Sequence, residues 1–127
     1  MFMDESVRRH IDAPECRSSL SMIQILETTT TVAKLEDAEG IATSLLEQRL
    51  AACVQINGPI TSIYRWNNTI ERSTEWKLTI KSAARLQEEI REHLIATHPY
   101  EVPELLFVLI DASSESYAKW LESGLIR

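Results

Sequence analysis

The chain is poor in cysteine: among its 127 residues only Cys16 and Cys53 carry a thiol. Two thiols close one bridge at most, which excludes a disulfide framework, and neither belongs to a CxxC pair or a Cys/His array of zinc-finger spacing. Glycine is nearly as scarce. Gly40, Gly58 and Gly124 stand too far apart to build a phosphate-cradling loop or a dinucleotide fingerprint. No nucleophile-elbow motif is present. No apolar run approaches the ~20 residues that a membrane-spanning helix needs, so no membrane partner is expected. Basic residues are also in deficit, 13 against 19 acidic ones, for a net charge of -6. Polyphosphate would be repelled unless the cations were segregated on one face, so nucleic acid is not an expected partner.

What is present suits one globular domain: 44% hydrophobic and 25% charged residues support a core without staples. Residues 1–21 interleave Asp4, Glu5, Arg8, Arg9, Asp12, Glu15 and Arg17 with Pro14 and show no sustained period. They lack the apolar core of a signal peptide, so a cytoplasmic location is expected. The segment is expected to be a mobile N-terminal extension, with the folded domain spanning 22–127 and Met22 a candidate natural start.

From Met22 onward the period alternates between two and 3.6 residues. Met22 to Thr30 is rich in β-branched residues and predicts a strand. Ala38, Ile41, Ala42, Leu45 and Leu46, behind the acidic Glu36, Asp37 and Glu39, predict a helix to about Leu50. Ala51 to Ile56 predicts a second, mostly buried strand, closed by a turn at Asn57-Gly58-Pro59. Thr61–Trp66 and Thr69–Lys81 predict a long hairpin turning at Asn67-Asn68, because asparagine tolerates the positive φ of a tight turn. Leu86, Ile90 and Leu94 return to helical spacing until His98 meets Pro99. The six apolar residues Leu105 to Ile110 predict a central strand covered on both faces, or on one face and an interface. Ser113 or Ser114 starts a last helix that ends near Gly124.

Strand, helix, strand, strand, helix, strand and a trailing helix make an α+β, ferredoxin-like split βαβ sandwich with both main helices on one face of the sheet. The uncovered face predicts self-association.

Glu36-Asp37-Ala38-Glu39-Gly40-Ile41-Ala42, Arg49-Leu50-Ala51-Ala52-Cys53-Val54, Ile63-Tyr64-Arg65-Trp66 and His98-Pro99-Tyr100-Glu101-Val102-Pro103-Glu104 occur in this order. Together they closely resemble the CutA family of divalent-cation-tolerance proteins, collinearly over about Ile23 to Leu125. The resemblance implies a tight homotrimer with the architecture of the PII signalling proteins, a role in tolerance of copper and other divalent metals, and no defined catalytic reaction.

The metal-ligand candidates it implies are Cys53, His98 and Glu104, for Cu(II) or another divalent cation; thiolate and imidazole suit copper. For Cys53 the competing reading is a small core hydrophobe, and for His98 a local cap. Where some CutA sequences carry a further cysteine and a second histidine, this chain has Thr30 and Thr97. One Cys, one His and one Glu leave coordination incomplete within a subunit, and a site can be completed across the trimer. Trp66, Lys81 and Tyr100 match recurrent family positions and predict an inter-subunit ligand cleft with an aromatic wall, a cation and a hydroxyl. A small anionic ligand there, in a signalling or interaction module, is the alternative reading. For the two aromatics the alternative is an interface anchor.

Overall fold

The computed structural model describes residues 23–127, so the expected extension over 1–21 lies outside the described residues. The elements are β1 (Ile25–Val32), α1 (Leu35–Glu47), β2 (Cys53–Trp66), β3 (Thr69–Ala83), a 3-10 turn (Ala84–Leu86), α2 (Gln87–Thr97), β4 (Leu106–Leu109) and α3 (Glu115–Ser123). They form one antiparallel sheet in the order β2-β3-β1-β4. β3 is thus inserted between β1 and β2, which is the ferredoxin-like split βαβ arrangement the periodicity predicts.

Alternation assigns the two faces. Leu26, Thr28, Thr30 and Val32 of β1 share a face with Leu78, Ile80 and Ser82 of β3. The apolar members of that set are sealed by Leu45 of α1 and by Ile90 and Leu94 of α2, all without solvent exposure. On the opposite face Ile25, Ala51 and Ala83 are buried at one end of the sheet, together with Ala118 and Leu121 of α3. The C-terminus is tied down there, where the Ile126 N–H donates to the Arg49 carbonyl at 2.9 Å. Ser114 is the cap of α3: its hydroxyl accepts from the Tyr117 N–H at 3.3 Å, satisfying one of the free donors of the first turn. Among the described residues no helix is long and apolar enough to cross a membrane.

Two expectations are corrected. Asn57-Gly58-Pro59 does not end a strand; β2 continues through it for 14 residues, with its register against β3 shifted between Asn57 and Ile60. β2 lies at the edge of the sheet, where a proline without an N–H is tolerated and a bulge absorbs the extra residues. Gly58 is required by close approach: a Cβ there would lie 2.7 Å from Cε3 of Trp76. The apolar run at the C-terminal end is not a central strand covered on both faces. β4 is the other edge, and Leu106, Val108 and Leu109 are 54%, 54% and 57% exposed. A continuous apolar run reads the same whether its own chain covers it or a partner does; the edge position overturns the doubly covered central strand and not the other expectation, one face and an interface.

Candidate functional site

The far end of the β2–β3 hairpin forms one wall of the site. Asn67 and Asn68 take φ of 51° and 67°, the two positive values that let a two-residue turn match the twist of the arms. The resulting register pairs Ser62 with Ser73, Tyr64 with Glu71 and Trp66 with Thr69, so these side chains share one face. Ile63, Arg65, Ile70 and Arg72 pair on the other face.

The second wall is the segment after α2. Pro99 cannot continue the helix, and His98 leaves it in an extended conformation. The chain then carries Tyr100, Glu101, Val102 and Glu104 against the hairpin. Between the walls is a cleft of about 930 Å³. Tyr100 closes its floor by donating its hydroxyl to Glu75 Oε2 at 2.7 Å. Burial, reinforced by this carboxylate, pushes the Tyr100 hydroxyl far above the usual phenol range, so it stays a donor at physiological pH.

His98 lies behind Tyr100 with the ring centroids 5.1 Å apart. Its Nδ1 accepts the Tyr100 N–H at 3.1 Å, which leaves the ring proton on Nε2, 2.9 Å from Thr30 Oγ1. Nε2 therefore donates to Thr30. Burial holds the imidazole below its ordinary value of 6.5 and keeps it neutral. With both nitrogens engaged, His98 aligns the start of the 99–104 segment, and a metal would have to displace one of these bonds.

The charges of the cleft have one sign. Glu71, Glu75, Glu101 and Glu104 line it, and among the described residues no Lys or Arg does. Glu75 is only 8% exposed.

Trp66, Tyr100 and Glu104 are therefore brought together on this cleft, with His98 just behind it. Cys53 and Lys81 are not. They face each other across β2 and β3 at the opposite end of the sheet from the hairpin tip, on the face that alternation also gives to Glu71 and Glu75, so distance along the strands separates them from the cleft. Lys81 Nζ donates to Gln55 Oε1 at 3.2 Å. Cys53 is half-buried; burial raises its thiol pKa and the nearby Lys81 pulls it back. Burial also raises the Tyr117 hydroxyl of α3, with a smaller contribution from Cys53, which places that thiol beside the α3-covered end. Cys53, His98 and Glu104 thus do not converge within one subunit, and among the described residues no three His, Cys, Asp or Glu side chains are grouped to hold a metal.

Sequence reasoning missed Tyr64, Glu71, Glu75 and Glu101. The signal for three of them was available, since the alternation that puts Trp76, Leu78 and Ile80 on one face puts Glu71, Ser73 and Glu75 on the other, and a turn at Asn67-Asn68 sets Glu71 opposite Tyr64.

Comparison with known proteins agrees with this architecture. The family model described as CutA1 divalent ion tolerance protein matches residues 26–124. The divalent-cation tolerance protein CutA of Thermus thermophilus is 40% identical over 94 residues, covering 74% of this chain and 91% of that protein. The chloroplastic protein CutA of Arabidopsis thaliana is 37% identical over 94 residues, 74% of this chain and 52% of its own, so the chain spans about half of that relative's length. The crystal structure of CutA1 from Oryza sativa superposes with a TM-score of 0.80 at 30% identity, covering 83% of this chain and 96% of that one. The chain belongs to the CutA1 divalent-ion tolerance family.

Proposed function

We propose that the protein is a cytoplasmic homotrimer that contributes to divalent-cation tolerance by holding copper or another divalent ion weakly at the cleft between the hairpin and the 99–104 segment. The observation that carries this reading is electrostatic: four glutamates line the cleft and, among the described residues, no basic side chain does. Fixed charge of one sign in a concave surface concentrates counter-ions of the other. Glu104 is the predicted ligand that the cleft itself presents. His98 joins it when the Thr30 or Tyr100 bond is released, and Cys53 joins from another subunit. Carboxylate and hydroxyl oxygens favour hard ions, so weak binding follows until softer donors are added across the trimer.

Trimerisation is supported by the surface left uncovered. Leu106, Val108 and Leu109 on one edge, with Ile63 and Ile70 on the hairpin, are all more than half exposed. Edge strands with apolar side chains are covered in stable proteins, and copies of the same chain are the simplest cover.

The alternative, a PII-like non-enzymatic module taking a small anion, needs a cation in the cleft. Lys81 lies outside it, bonded to Gln55, so this reading requires the lysine of a neighbouring subunit.

Calorimetric titration with Cu(II) and Mn(II) tests the proposal. Saturable binding is expected, weakened by Glu104→Gln, and for Cu(II) weakened further when Cys53 and His98 are both replaced. Failure to saturate with either ion sinks it.

A further inference from the structure

The cleft has features that a metal ion does not use. At about 930 Å³ it has the size of a small-molecule pocket and is far larger than any hydrated ion needs. Its carboxylates are spread around it, since among the described residues no three acidic, histidine or cysteine side chains gather for coordination. Its walls also hold three aromatic rings, those of Tyr64, Trp66 and Tyr100. Trp66 and Tyr64 are 48% and 43% exposed, so their rings are accessible from the cleft.

Glu75 is the second, independent feature. This carboxylate is buried to all but 8% of its surface and lines the cleft. One oxygen accepts the Tyr100 hydroxyl; the other accepts no hydrogen bond among the described residues, and no lysine or arginine pairs with the group. With one neutral donor on one oxygen, the Glu75 carboxylate keeps acceptor capacity for a cation that enters the cleft.

We propose that the cleft is a site for an organic cation, a small alkylammonium group that sits among Tyr64, Trp66 and Tyr100 with its positive charge directed to Glu75. Aromatic faces attract ammonium groups through the ring quadrupole, and the attraction grows when the cation is desolvated. A metal ion would keep its water and gain little from the rings. An alkylammonium loses little hydration and gains from both rings and carboxylate. The inference rests on the reading that this cleft selects cations, but names a different occupant from the metal.

The test is titration of the intact, assembled chain with tetramethylammonium chloride, followed through the indole N–H resonances of Trp66, Trp76 and Trp120. Sodium chloride controls for ionic strength, tert-butanol is the neutral analogue of similar shape, and Mn(II) is titrated in parallel. The expected result is a saturable shift of Trp66 with Trp120 unmoved, absent with tert-butanol. Glu75→Gln should weaken it by about tenfold or more, the factor that corresponds to ~1.4 kcal/mol of lost charge interaction. Because Glu75 is buried, Trp66→Leu at an exposed position is the second variant; it removes the Trp66 reporter, so tetramethylammonium binding to it is followed by calorimetry, and the saturable heat should be lost while the Trp120 resonance keeps its position. No saturation, an equal response to tert-butanol, or affinity indifferent to both substitutions overturns the proposal. If Mn(II) saturates and tetramethylammonium does not, this inference falls and the metal reading stands; the reverse result removes the metal reading and leaves this one.

Discussion

The two ends of the sheet use apolar residues differently. At one end Ile25, Ala51 and Ala83 disappear beneath Ala118 and Leu121 of α3, with Leu125 also buried. At the other, strands β2 and β3 run out into a hairpin whose Ile63 and Ile70 are 58% and 67% exposed, while Glu75 is buried. The closed end spends its hydrophobic content on folding the subunit. The open end leaves it unspent and buries a charge, an inversion of the usual order that stability alone does not favour. Such an inversion marks surfaces made for contact with a second molecule.

Substitutions should separate the ends. Leu78→Ala, in the sealed layer between sheet and helices, is expected to cost ~2–5 kcal/mol of unfolding free energy in urea titration. Gly58→Ala is expected to cost ~1–3 kcal/mol, because its methyl group meets the Trp76 ring at the bulge that aims the hairpin. Ser114→Ala removes the cap of α3 and should cost ~1 kcal/mol. Ile70→Ser should change subunit stability by no more than ~0.5 kcal/mol while weakening assembly, seen as dissociation on dilution. A cost for Ile70→Ser equal to that of Leu78→Ala would erase the distinction between the ends.

The His98 hinge sharpens the comparison further through pH. Its folded pKa lies below the ordinary 6.5 because burial disfavours the imidazolium, so the unfolded chain binds the proton more readily. The His98 contribution to stability is complete above 6.5 and is lost as the pH falls below it toward the folded value. Protonation also turns Nδ1 into a donor facing the Tyr100 N–H. The expected outcome is a thermal midpoint that drops on acidification through this range, with a smaller drop in His98→Gln. A midpoint that rises instead contradicts the assignment of a neutral, half-buried ring.

Much of the fold was legible because its physics is local. Period 3.6 in Ala38, Ile41, Ala42 and Leu45 and alternation in Trp76, Leu78 and Ile80 dictate which sides are buried, and those sides meet in the core. The bulge at Gly58 was not legible, because a glycine and a proline in an edge strand have the composition of a turn. The edge position of β4 escaped for a related reason: Leu106 to Leu109 are apolar for a cover that the subunit does not supply. At the site, single residues were readable and their partnerships were not. His98 was placed at a helix end correctly, but its bond to Thr30 spans 68 residues of sequence. Cys53 and Lys81 were named separately and prove to be cross-strand neighbours away from the cleft. The glutamates of the cleft required the hairpin register before their common face was visible.

The proposed association of three copies would cover the open edge and hairpin, and sedimentation equilibrium of the intact chain tests it most directly. A single species of three times the 14.5 kDa chain mass, persisting on dilution to low micromolar concentration, is the predicted result. A monomer of 14.5 kDa under the same conditions would contradict it.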